Sequence, residues 1–241
     1  MVTKNSINYN SSDFDALATF DLKDTVVKTI SSDAGSATPS SHIYTIVGAN
    51  GIASSGAGST ITLSGAGLPA GDFDFISSAT ANNSATITFT GLSSTYFIYM
   101  ILIEKIVPAT DDSELYLRTS TNGGANYDAG ASDYAWGYIF AGAASHGTAA
   151  NTSGSYIRAS NALGNAAGET ASIRMVLYNP SNTQYTFTMI DESRNNSSSQ
   201  LISSKRYGCR KSAADVDAIQ FLMSAGNITS GNFKLYGLKA S

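Results

Sequence analysis

The segment Ala85-Thr86-Ile87-Thr88-Phe89-Thr90 leads through Gly91-Leu92-Ser93-Ser94 into a long apolar stretch, Tyr96 to Val107. Pro108 and the Asp111-Asp112 pair break that stretch, Glu114 to Thr119 resumes it, and Asn122-Gly123-Gly124 turns the chain again. A strand, turn, long strand, acidic loop, strand and turn in succession form the pattern of an antiparallel sheet. Downstream, apolar runs recur at Tyr134 to Phe140, Tyr156-Ile157-Arg158, Ala171 to Tyr178, Tyr185 to Ile190, Gln200 to Tyr207, Val216 to Met223 and Asn232 to Leu238. Ile173, Met175 and Leu177 alternate with Arg174, Val176 and Tyr178, which assigns one buried face and one mixed face. Short strands separated by turn residues such as Asn179-Pro180-Ser181-Asn182, with no sustained helical period, predict an all-β protein. The architecture expected is an antiparallel β-sandwich of jelly-roll type over residues 84–241.

Upstream the character changes. Residues 1–41 are expected to be an N-terminal arm and linker. Phe14, Leu17, Phe20 and Leu22 supply anchoring side chains, and residues 31–41 are too polar to bury anything. The Phe14–Leu17 and Leu22–Val26 spacings suit helical turns, whereas Thr25 to Ile30 alternates like a strand, and both readings stay open. Residues 42–83 read as a Gly-rich β-hairpin stem and connector: a strand over His42 to Val47, β segments around Gly56 to Gly65, then a Gly- and Ala-rich link. So small a hairpin is marginal alone and calls for a neighbouring copy.

Composition narrows the function classes. With 13% charged residues and a net charge of −4, the chain lacks the concentrated basic surface that phosphate binding requires, so no nucleic-acid partner is expected. Lys205-Arg206 and Arg210-Lys211, its closest basic pairs, read as a solvated edge. Hydrophobic residues at 42% suffice for a core, and thirteen Tyr among many Ser, Thr, Asn and Gly suit pleated, half-exposed surfaces. The single Cys209 rules out an intrachain disulfide and a Cys-based metal site. Met1 to Ser6 lead into no apolar h-region, and the longest apolar run carries Glu104 and Lys105, so neither a signal peptide nor membrane insertion is expected.

No catalytic constellation is evident, and the chain is expected to be neither an enzyme nor dependent on a cofactor. Its two histidines, His42 beside the linker and His146 in a Gly/Ala-rich loop, lack metal-ligand or triad spacing. Asp111, Asp112 and Glu114, and Asp191 with Glu192, read either as hard-oxygen Ca²⁺ ligands or as loop residues, and no metal site is assigned. Tyr127, Tyr134, Trp136 and Tyr138 form an aromatic-dense patch with Asp128 and Asp133 beside it. Rings next to carboxylates suit a glycan or receptor site. The alternate spacing of Tyr134, Trp136 and Tyr138 favours instead one face of a strand filling a core or a subunit interface.

Several patches resemble domains of tailed-phage virion proteins. They are Thr88-Phe89-Thr90-Gly91-Leu92, Ile106 to Asp111, Leu115 to Gly124 with Tyr127, Leu177-Tyr178-Asn179-Pro180, Val216 to Phe221, and Ser230 to Leu238. Gly56 to Ser64 is similar to the small β-repeats ahead of such domains in phage tail and head fibres. The resemblance covers roughly residues 46–238 in patches and brings no catalytic residues. It implies a short fibre or appendage, assembled in the host cytoplasm into the virion and carrying its β-sandwich on a thin N-terminal arm. The implied partners are two further copies in a homotrimer, other capsid or tail proteins through the arm, and a host-surface glycan. A carbohydrate-binding module, or a head decoration protein without fibre assembly, is the alternative.

Overall fold

A computed structural model of the chain describes residues 30–32, 35–37, 53–57, 60–64, 73–143 and 145–239. They belong to two compact units that divide between Pro69 and Ala70. The described residues of the first unit form two antiparallel hairpins: β1 (Ile30–Ser32) with β2 (Gly35–Ala37), and β3 (Ala53–Ala57) with β4 (Thr60–Ser64). The first hairpin falls in the stretch read as a linker; the second matches the expected β segments near Gly56. The strand expected over His42 to Val47 and the anchoring residues Phe14, Leu17, Phe20 and Leu22 lie outside the described residues.

The second unit is a β-sandwich. Its strands are β5 (Phe73–Ser84), β6 (Thr86–Thr90), β7 (Tyr96–Pro108), β8 (Ser113–Ser120), β9 (Tyr134–Gly142) and β10 (His146–Gly154). They continue as β11 (Ile157–Leu163), β12 (Ala171–Tyr178), β13 (Phe187–Asn195), β14 (Leu201–Arg210), β15 (Ala218–Met223) and β16 (Ile228–Lys239). An eight-stranded sheet runs in the order β10-β9-β14-β13-β12-β7-β16-β5, and a four-stranded sheet in the order β11-β8-β15-β6. Neighbouring strands are antiparallel throughout. Steps from β5 to β6, β7 to β8, β11 to β12 and β15 to β16 each cross between the sheets. The order β5-β16-β7-β12 in one sheet is therefore matched by β6-β15-β8-β11 in the other.

Between the layers, Ile101 and Ile103 of β7, Met175 and Leu177 of β12, and Phe233 of β16 are buried with Leu115, Leu117 and Phe221 of the small sheet. Phe221 and Phe233 pack at 5.4 Å between ring centroids. Each such side chain contributes ~1.5–3 kcal/mol by leaving water. In β7 the polar pair Glu104-Lys105 interrupts the alternation, and Lys105 takes φ +53°. That left-handed residue shifts the register and returns Ile106 to the core, where it is fully buried.

Three expectations change. The stretch read as a connector up to Asn83 contains β5, which pairs with β16 from Phe73 to Ser84, so the sandwich starts upstream of residue 84. An edge strand is held mainly by its backbone ladder, so small side chains such as Ser77, Ser78 and Ala79 do not preclude it. His146 lies not in a loop but at the start of β10, the opposite edge strand, for the same reason. Arg206 and Arg210 are buried rather than on a solvated edge, because β14 turns its even-numbered residues inward.

Candidate functional site

The four aromatic residues singled out in the sequence do not form an exposed platform. Tyr134, Trp136 and Tyr138 alternate along β9 with Ala135, Gly137 and Ile139, and all three rings face the interior of the sandwich and are buried. Tyr134 is tied down through its hydroxyl, which accepts the Thr119 backbone N–H at 2.8 Å and donates to the Asp128 carbonyl at 3.1 Å. Burial pushes its pKa up to about 12. Trp136 stacks on Tyr138 with ring centroids 6.1 Å apart. The Arg158 guanidinium lies 4.3 Å from the Trp136 ring centroid, and that of Arg206 lies 4.4 Å from Tyr138. Tyr127 is half-buried in the loop between β8 and β9, where burial raises its hydroxyl pKa. Tyr134, Trp136 and Tyr138 therefore fill the interlayer, as their alternate spacing allows, while Tyr127 stays in the loop.

Beside these rings the interlayer carries charge. Glu192 of β13 is fully buried and accepts hydrogen bonds from Arg194 at 2.6 Å, Arg206 Nε at 3.0 Å, Ser204 at 2.5 Å and Ser160. Asn161 Oδ1 accepts from both arginines. Burial, above all, lowers the Arg206 pKa. One carboxylate thus serves two guanidiniums, with Ser160 and Asn161 of β11 and Ser204 of β14 as neutral polar partners. This cluster fixes β11 against β13 and β14.

The consequence appears on the other face. Along β13, Thr188, Glu192 and Arg194 point inward while Phe187 and Met189 point out. Along β14, Ser204 and Arg206 point inward while Leu201 and Tyr207 point out. Both strands thus bury polar groups beside Ile190 and Ile202 and leave large apolar groups in solvent. Register then aligns the outward groups into rows across the sheet. Phe75, Tyr236, Met100, Val176, Met189 and Tyr207 are successive cross-strand partners over six strands. A second row runs Phe73, Leu238, Ile98, Tyr178, Phe187 and Cys209. Phe75, Met189 and Tyr207 are each 57–58% exposed.

Next to these apolar rows lies a charged one. Arg174, Asp191 and Lys205 are cross-strand neighbours, with ion pairs of 2.6 Å and 2.8 Å converging on Asp191. Hydrogen bonds from Lys205 and then Arg174 hold the Asp191 carboxyl below the usual carboxylate range. A row of hydroxyls follows, Ser172, Ser193 and Ser203. Charged and hydroxyl rows together line a trough of about 500 Å³. An adjoining apolar hollow of about 610 Å³ sits among Tyr178, Phe187, Met189 and Tyr207. Tyr207 reaches across Gly137, where a Cβ would collide with its ring.

The remaining candidates are held in structural bonds. Asp111 and Asp112 accept from Asn165 N–H and the Ser197 hydroxyl, and Glu114 pairs with Arg158 at 3.1 Å. Asp191 and Glu192 point to opposite faces of the sheet. Among the described residues no three His, Cys, Asp or Glu side chains gather at a metal-sized site.

Four loops of the second unit meet around Asp217. Leu92 N–H donates to the Asp217 carbonyl at 2.9 Å, Asp217 N–H to Ser120, and Gly123 N–H to the Asp217 carboxylate at 2.8 Å. Val216 N–H donates to the Pro180 carbonyl. These residues lock four loops together. The outward rows were missed in the sequence because Leu201 to Arg210 carries apolar and polar residues at both parities; the cue was Phe187 and Met189 sharing a parity with Asp191. Comparison of the chain with protein-family models, with curated proteins and with solved structures finds no match.

Proposed function

We propose that this chain is a non-catalytic structural attachment protein of a tailed-phage virion. In this reading residues 1–41 dock on another virion protein, and the β-sandwich is displayed to contact saccharide on the host surface. The resemblance of the patches, taken in their order along the chain, supports the virion assignment, as does their union around Asp217. The interleaved orders β5-β16-β7-β12 and β6-β15-β8-β11 support a jelly roll whose larger sheet is extended by β13, β14, β9 and β10.

The observation that carries the attachment reading is the trough on the outer face. Its Arg174, Asp191 and Lys205 charges and its Ser172, Ser193 and Ser203 hydroxyls offer both donors and acceptors over three adjacent strands. That mixture matches a polyhydroxylated sugar chain better than an apolar ligand. The test is binding of the full chain to immobilised bacterial surface polysaccharide, beside the double variant Arg174→Ala, Lys205→Ala. Two lost charge-assisted hydrogen bonds should weaken binding roughly tenfold or more. Equal binding by both proteins would remove the trough as the site. No binding by the unaltered chain to host cells or their polysaccharide would leave a decoration protein without an attachment role.

A further inference from the structure

We infer that the apolar rows on the outer face of the eight-stranded sheet are the contact surface for a second copy of this chain, packed face to face about a two-fold axis. The inference stands on side-chain polarity and register and needs neither the virion assignment nor the three-copy assembly that the resemblance implies. In β13 and β14 the inward positions hold Glu192, Arg194 and Arg206 beside Ile190 and Ile202, and the outward ones hold Phe187, Met189 and Tyr207 beside Asp191, Ser193, Ser203 and Lys205. A one-residue register slip would bring Phe187, Met189 and Tyr207 inside, but it would also expose Ile190 and Ile202 and carry Asp191 and Lys205 inward. The fold instead anchors the polar set on β11 through Ser160 and Asn161. Phe187, Met189 and Tyr207 are therefore left for a layer outside the sandwich.

The rows are continuous rather than scattered. Phe75 at one end and Tyr207 at the other are linked by unbroken cross-strand partners, a span of ~24 Å at the usual strand spacing. Aromatic side chains bury ~150–250 Å² each, and about half of that is open here, so the two rows offer on the order of 800 Å². That is about what each partner contributes to a standard stable interface, and more than monomers usually expose in one apolar patch.

The flanking charges identify the occupant. Asp191 is paired within the chain to Arg174 and Lys205, and Glu104 to Lys234 at 3.3 Å. A rim whose charges are already answered by its own residues asks no complementary charge from a foreign surface. Two copies related by a two-fold axis lay apolar row on apolar row and leave both charged rows at the periphery, which is the anatomy of a specific interface. Sheet faces packed in this way sit ~10 Å apart with strands inclined by ~30°.

The test is the solution mass of the full chain by light scattering across the micromolar range. The unaltered protein is compared with Met189→Glu, with the double variant Met189→Glu, Tyr207→Glu, and with Ser193→Glu. All three residues face outward, so far-UV and near-UV circular dichroism should match the unaltered protein. Two-copy mass for the unaltered chain and for Ser193→Glu, with single-copy mass for the double variant, is the expected result. A single-copy or three-copy unaltered chain overturns the inference, and so does a folded double variant that remains a dimer. A single-copy result would also indicate that another partner, or another segment of this chain, covers the rows.

Discussion

Asp191 and Glu192 are consecutive in β13, and each is joined to two cations, yet they belong to different electrostatic regimes. The Asp191 side chain is 40% exposed and that of Glu192 is 0% exposed. Around Asp191, water screens the ion pairs with Arg174 and Lys205, and such surface pairs contribute little. Around Glu192, three charged groups and their hydroxyl and amide partners share a volume without water, where each bond made or lost counts heavily. A single peptide step across the pleat separates a rim from a keystone. The lesson is that pairing alone does not rank these ion pairs; the face of the sheet does.

The strongest test of that contrast is Glu192→Gln. It leaves Arg194 and Arg206 buried without their counter-charge, and unfolding in denaturant should show a loss of ~3–5 kcal/mol. A loss no larger than that of a surface pair would mean that water reaches the interlayer.

Tyr134→Phe probes the same interior with a neutral group. Deleting the hydroxyl strands the Thr119 N–H and the Asp128 carbonyl, at a cost of ~1–3 kcal/mol. The pH dependence carries a sign. Tyr134 is pushed up from 10.0 to about 12, so the fold favours its protonated form. Its contribution is full below pH 10 and is lost as pH rises towards about 12. Alkaline titration of the circular dichroism should therefore fall less steeply for Tyr134→Phe than for the unaltered chain.

Asp191→Asn should give the smallest effect, within ~1 kcal/mol at neutral pH, and added salt should narrow the difference further. The carboxyl is held below its ordinary value of 3.8, so its contribution is present above that pH and lost as pH falls below it. Thermal unfolding of the two proteins should converge in strong acid. A gap that persists there would place Asp191 in a drier setting than its exposure indicates.

The sandwich was legible because its central strands obey the pleat. Ile173, Met175 and Leu177 in β12 alternate cleanly, and Asn179-Pro180 marks the turn that follows. The edge strands β5 and β10 were hidden because backbone pairing, not side-chain pattern, defines them. The candidate site was misplaced for a related reason. Trp136 and its tyrosines carry the strongest aromatic signal, and a sandwich spends that signal in its interior. The outward rows on β13 and β14 could not be assigned from alternation alone, since Phe187 and Glu192 compete for the core at opposite parities. Only the partners that Ser160 and Asn161 provide on β11 decide the matter, and sequence neighbours do not reveal them.

The place of β16 in the large sheet has a kinetic meaning. It inserts between β5 and β7, strands that precede it by more than a hundred residues, as in the Thr80–Asn232 side-chain bond spanning 152 positions. Until β16 arrives, both neighbours present an unpaired edge, a ready template for another chain. Closing so long a loop is entropically slow, and a topology dominated by such pairings folds on the slow side for its size. A protein made on a ribosome thus completes this sheet only after almost all of the described sandwich has emerged. The hazard during synthesis is edge-to-edge association of two immature chains, whereas the contact proposed between finished copies uses a face.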